Sequence, residues 1–109
     1  MANTFKLKTK ANVGVTTVGF YTAPAATTTV VIGITLSNTS GSGVNVGVGI
    51  TRAGTTEDVK LLKNAPIPQG SSLEFMGGNK VVLETNDQIN VDSDTNNSVD
   101  AALTIMEIT

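Results

Sequence analysis

The chain alternates. In "TVVIGITLSN", Val30, Ile32, Ile34 and Leu36 share one face, with Val31, Gly33, Thr35 and Ser37 on the other. "VNVGVGIT" repeats the pattern, with Val44, Val46, Val48 and Ile50 opposite Asn45, Gly47, Gly49 and Thr51. A two-residue period over this length predicts half-buried strands. The linker "TSGSG" holds only glycine and hydroxyl residues, so the two strands are expected to close as a hairpin around it.

The same period runs through the rest. "TFKLKTK" sets Phe5, Leu7 and Thr9 against Lys6, Lys8 and Lys10. "TVGFYT" stops at Pro24, and "DVKLLKNA" is bounded by "PIPQGSS", whose prolines and glycine oppose regular pairing. "LEFM", "KVVLE" and "QINVDS" follow, separated by the turn signals "GGNK" and "TND". The final strand, "SVDAALTIMEI", places Val99, Ala101, Leu103 and Ile105 on one face and Ala102, Met106 and Ile108 on the other. A strand that is apolar on both faces is central or covered by a neighbour. No segment keeps an i, i+3, i+4, i+7 pattern for three turns. The expected fold is all-β: a single-domain antiparallel β-sandwich, jelly-roll- or Ig-like, of about 7–9 strands over residues 1–109. Residues 1–12 form a candidate N-terminal assembly strand within it.

Composition narrows the chemistry. The 109 residues contain no cysteine and no histidine, which removes disulfides, thiolate chemistry and the usual general base near neutral pH. Tryptophan is absent and aromatic residues make up 4 %, so a stacking platform for sugars or bases is hard to build. Charged residues are 15 % of the chain, against about 25 % in ordinary soluble domains. Threonine, serine, asparagine and glycine fill the surface instead, which suits a protein packed against other subunits. Seven basic residues and a net charge of −2 do not make a nucleic-acid binder. No run approaches the ~20 apolar residues of a membrane helix. "MANTFKLKTK" lacks the apolar segment of a secretory signal, so synthesis in a cytoplasm is expected.

The candidate chemical motifs are weak. "GSG" is followed by a valine and a strand, where a phosphate loop needs a lysine and a helix. Asp92, Asp94, Asn96 and Asp100 match positions 1, 3, 5 and 9 of an EF-hand loop, but Asn97 stands where glycine is needed and Leu103 where a glutamate is needed. A solvated loop is the better account of these four residues. Glu74, Glu84, Asp87 and Asp92 could pair as acid and base, but no aromatic groove is available to hold a sugar between them. Asp87 in "TNDQ" reads as a turn residue. No catalytic residue, cofactor, metal or small-molecule substrate is assigned.

Assembly features are more informative. Lys6, Lys8 and Lys10 read as guards on an edge strand, with Phe5 and Leu7 on its other face. Gly33, Gly47 and Gly49 sit inside strands, where glycine weakens the sheet unless another backbone or subunit comes close. These eight residues are the candidate assembly positions.

"YTAP" ahead of a Thr/Val strand, "APIPQGSSL" ahead of a short strand, and "KVVLETNDQINV" ahead of the closing strand resemble small β-sandwich virion structural proteins of tailed bacteriophages, of the marine and cyanobacterial type. The resemblance runs from about Gly19 to the C-terminus and rests on turns and strands. It implies a non-enzymatic virion subunit whose partners are other virion proteins, the major capsid protein first, and copies of itself. Head decoration (cement) is the leading expectation. A tail, neck or baseplate subunit and a carbohydrate-binding fibre module are the alternatives.

Overall fold

The protein is described from a computed structural model covering residues 3–54, 57–75 and 80–109. Nine strands are formed among these residues: β1 (Asn3–Val13), β2 (Val18–Thr22), β3 (Thr28–Asn38), β4 (Val44–Thr51), β5 (Asp58–Ile67), β6 (Ser72–Phe75), β7 (Val81–Leu83), β8 (Gln88–Ser93) and β9 (Val99–Ile108). They build two antiparallel sheets. One has the order β1-β9-β3-β6, with β7 also paired to β3, and the other has the order β2-β8-β4-β5.

The pairing is that of a ribbon folded at β4–β5 and then rolled up. Strand β4 pairs with β5, β3 with β6 and β7, β2 with β8, and β1 with β9. Rolling then joins β4 to β8 and β3 to β9, which completes the two sheets. This is the jelly-roll arrangement of a β-sandwich. Valine, isoleucine and leucine from both inner faces meet between the sheets. Ile34, Leu36, Val48, Ile89, Leu103 and Ile105 are among the buried side chains there.

Three sequence expectations change. The "TSGSG" segment is not a hairpin tip, because β3 and β4 belong to different sheets. It is a crossover, organised by the buried Asn38. The Asn38 amide donates to the carbonyls of Ser42 (2.8 Å) and Ile67 (3.0 Å), and its Oδ1 accepts from the Ser40 N–H (2.9 Å). Hydroxyl and glycine content signals a turn but does not say whether the chain returns to the same sheet. Second, β5 runs on through Pro66 and Ile67 instead of stopping before them. It is an edge strand, where the missing proline N–H costs no ladder bond. Third, β6 and β7 follow the same edge of β3 in one direction, with Ser72–Phe75 beside Ile34–Ser37 and Val81–Leu83 beside Thr29–Val31. The turn expected at residues 77–79 lies outside the described residues.

A bulge corrects the face assignment of β3. Val31 pairs with Ile105 and Gly33 with Thr104, so Ile32 is the extra residue. The bulge re-phases the strand. Thr29 and Val31 point inward on one side of it, and Ile34 and Leu36 on the other, while Val30 and Ile32 leave the core.

Replacing Asn38 with alanine would strand the buried Ile67 carbonyl and the Ser40 N–H. An Asn38→Ala chain should lose about 1–3 kcal/mol in urea unfolding. A loss within experimental error would mean the crossover is held by other contacts.

Candidate assembly surface

The site begins with how β1 is attached. Lys6, Lys8 and Lys10 lie opposite Ile105, Leu103 and Ala101, so they share the core-side face of the sheet at its open edge. Lys6 Nζ reaches Glu107 Oε1 at 2.8 Å. Glu107 is buried, and its Oε2 accepts from the Tyr21 hydroxyl at 2.5 Å. Tyr21 in turn meets Thr29 Oγ1 at 2.9 Å. Lys8 Nζ stands 6.0 Å from the centre of the Tyr21 ring. This network ties β1 and β9 to β2 and β3. Inward-pointing lysines also discourage a foreign strand from adding to the β1 edge.

Charge follows from these contacts. The Lys6 ammonium, and then the Tyr21 hydroxyl, hold the Glu107 carboxyl below the usual carboxylate range against the opposing effect of burial. Burial, and then the bond to Glu107, pushes the Tyr21 phenol up to about 12. A second buried carboxylate, Asp87, lies at the same end of the sandwich, in the turn before β8. Burial alone would raise Asp87, but the N–H groups of Ala53 (2.9 Å) and Glu84 (3.0 Å) and the Arg52 guanidinium hold it low. Arg52 Nε is 3.1 Å from Asp87 Oδ2, an ion pair without hydrogen-bond geometry. Asp87 is the turn residue the sequence suggested, since its N–H also donates to the Glu84 carbonyl.

With the lysines turned inward, the rest of β1 faces out. Phe5 is 69 % exposed and Leu7 65 %. Cross-strand pairing extends them into rows on the outer face. One row runs Phe5, Met106, Val30, Val82 across β1, β9, β3 and β7. The next runs Leu7, Thr104, Gly33. The bulged Ile32 leaves the core beside them. Charged side chains are absent from both rows, and Val82 is 56 % exposed. At Gly33 an added Cβ would meet nothing within 4 Å, so the position opens onto free space.

The other two candidate glycines are occupied by their own chain. A Cβ on Gly47 would stand 2.7 Å from Asp92 Oδ1 and 3.3 Å from the Leu62 carbonyl. One on Gly49 would stand 3.0 Å from both Asn90 Oδ1 and the Val59 carbonyl. Both glycines make room for the irregular β5 backbone, and both are buried. The close approach expected there is an intramolecular one.

The acidic loop does not gather. The Asp92 carboxylate accepts from the Thr17 hydroxyl (2.9 Å), Asp94 from the Asn45 N–H (3.1 Å), and Asp100 from the Asn12 N–H (3.0 Å). Asn96 lies beside Gly14. Among the described residues, no three acidic side chains come together. The surface members that sequence reading missed are Val30, Ile32 and Val82. The two-sided apolar character of the last strand was the available signal, and the bulge at Ile32 hid the rest.

No family model and no curated protein sequence matches the chain. Solved structures match in fold. A protein of the disulfide-linked pili of Bacillus endospore appendages is 13 % identical, with 99 % of this chain and 87 % of that one covered at a TM-score of 0.57. A chain of the cyanophage Pam1 capsid is 14 % identical, with 96 % and 84 % covered at 0.54. A protein of infectious bursal disease virus is 14 % identical, with 98 % of this chain but 32 % of that one covered at 0.58. At these identities the likeness is one of fold. This fold is shared with capsid and pilus proteins.

Two outcomes follow. Glu107 has a lowered pKa in the folded state, so its contribution is present above the unfolded value of about 4.3 and is lost as pH falls through the lower folded value. Tyr21 has a raised one, so its share is present below about 10 and is lost between about 10 and 12. Urea titrations should therefore show stability falling below about pH 4.5, and a Glu107→Gln chain should be weaker at neutral pH with a shallower acid slope. An unchanged slope would remove Glu107 from the account. The Phe5→Ser/Leu7→Ser double variant should keep stability within about 0.5 kcal/mol per site, yet elute much earlier from a hydrophobic-interaction column. A large loss of stability would mean that the two side chains belong to the core.

Proposed function

We propose that the chain is a non-enzymatic structural subunit of a bacteriophage particle. Within that class it is a head decoration (cement) protein that binds the major capsid protein and further copies of itself. It would be made in the host cytoplasm and carried on the virion.

The observation that carries this reading is the fold match to the cyanophage capsid chain. It spans nearly all of this chain and most of that one, so the two are close in length. A whole small subunit is matched, not a part of a larger shell protein. The chemistry is consistent with it. Without histidine or cysteine the chain lacks the common nucleophile–base pairs. Its buried carboxylates, Glu107 and Asp87, are both engaged by cations and hydrogen-bond donors. Two rows of its outer face, through Phe5 and Leu7, offer uncharged apolar area, as the centre of an interface does.

A filament subunit is the second reading, favoured by the appendage match. That neighbour comes from disulfide-linked pili, and this chain has no cysteine with which to form such links. A tail, neck or baseplate position, or a fibre module, remains an alternative within the particle.

Quantitative mass spectrometry of the purified virion separates these. A decoration subunit should be present at a copy number comparable with the shell protein. A small ring-scale number would assign it to the neck or baseplate, and absence from virions would reject the reading. Particles lacking the protein should also release their DNA at a lower temperature than complete ones. Equal release temperatures would count against a cement role.

A further inference from the structure

We propose that residues 3–11 are an exchangeable arm. Hinged at Asn12, the arm leaves its own β9 and pairs with β9 of a second copy, which returns its own arm, so that Lys6 of each copy meets Glu107 of the other. Joined copies belong to the structural-subunit reading, and arm exchange rests on that reading for its setting.

Strand β1 is held differently from the other long strands. None of residues 3–12 is buried, and Val13 is the strand's one buried contribution to the core. Strands β3, β4 and β9 each bury several side chains. Residues 3–10 are attached by their ladder to β9 and by the Lys6–Glu107 pair. Lifting them withdraws no buried side chain from the core.

The chain also supplies a pivot. Val13 is fixed, because its carbonyl accepts from the Ser98 N–H at 3.0 Å and the next carbonyl, of Gly14, accepts from the Ser93 N–H at 2.9 Å. One residue earlier, Asn12 has a φ of 58°, in the left-handed region. The β1–β9 register slips at the same place, between Lys10 and Val13. A residue other than glycine is strained in that region. In the exchanged form Asn12 becomes extended, the strain is relieved, and the arm runs straight out from Val13.

The vacated edge specifies its occupant. Without β1, strand β9 presents unpaired N–H and C=O groups. Glu107 becomes a buried carboxylate without its cation. The edge therefore needs an antiparallel strand that carries a cation opposite Ile105, where Lys6 stands. The β1 arm of a second copy supplies both in the same register. Exchange of an identical element is a low-cost route to a dimer, and a reciprocal pair leaves neither edge empty.

The test uses the full chain with paired cysteines. The native chain has no thiol, so introduced ones report cleanly. Leu7 and Thr104 are cross-strand partners on the outer face, within reach of a short thiol cross-linker. A concentrated Leu7→Cys/Thr104→Cys chain should give a covalent dimer of twice the 11.2 kDa mass on a denaturing gel. The Leu7→Cys single variant should give several-fold less. An internally linked monomer as the sole product, no linkage at all, or equal dimer from the single variant would overturn the proposal. The hinge gives a second readout in the same background. Proline holds φ near about −65° and forbids the closed Asn12 conformation, so Asn12→Pro should raise the dimer fraction. Glycine tolerates the closed conformation without strain, so Asn12→Gly should lower it several-fold. The same dimer fraction in both would remove Asn12 as the hinge and overturn the proposal. These failures are distinct from failure of the virion reading. An unexchanged chain found in virions rejects only arm exchange, and an exchanged dimer absent from virions rejects only the structural-subunit role.

Discussion

Strand β9 is apolar on both faces, and the structure depends on how that is accommodated. Both its neighbours come from the other end of the chain, β1 from Asn3–Val13 and β3 from Thr28–Asn38. Antiparallel pairing on both sides satisfies its backbone. One face then contributes Val99, Ala101, Leu103 and Ile105 to the core, and the other shows Met106 and Ile108 to the outside. The sandwich and its candidate interface are thus two sides of a single strand.

Burying a carboxylate is costly unless it is paired and hydrogen-bonded. The protein buries two at the same end of the sandwich, and pairs both. Glu107 joins β9 to β1 through Lys6 and to β2 through Tyr21. Asp87 joins the turn before β8 to the end of β4 through Ala53 and Arg52. Among the described strands, β4 and β5 are the one consecutive pair joined in a ladder. Most pairings therefore close long loops, and these polar clamps help to fix which distant strands meet. The same Lys6–Glu107 contact turns the lysines of β1 inward and leaves Phe5 and Leu7 outside. An inverted edge strand and an apolar outer face are one arrangement.

Much of this was legible in advance. About 7–9 strands were readable, the longer ones from alternation, since side chains on successive residues must point to opposite faces, and the short ones from the turn signals around them. The exclusion of histidine and thiol chemistry follows from composition, and the turn role of Asp87 from its "TND" context. The inward sets on β4 and β9 fell where the alternation put them. On β3 the count failed at Ile32, because a bulge adds one residue and shifts every later side chain to the other face. Gly47 and Gly49 read in sequence as assembly positions, but the atoms that crowd them belong to this chain: the β5 backbone and the Asp92 and Asn90 side chains.

The amino-acid pattern alone determined that the chain would be an all-β sandwich with a particular set of strands. Local periodicity and turn chemistry act over a few residues, so they are written locally. Which sheet each strand joins was decided only by tertiary structure. "TSGSG" has the same composition whether the chain turns back or crosses over. It is a crossover because β3 pairs with β9 and β4 with β8, and the buried Asn38 holds it there through the Ile67 carbonyl. The apolar outer face arises in the same way. Phe5, Val30, Val82 and Met106 are far apart in sequence, and a row of them exists only once β1, β9, β3 and β7 lie side by side.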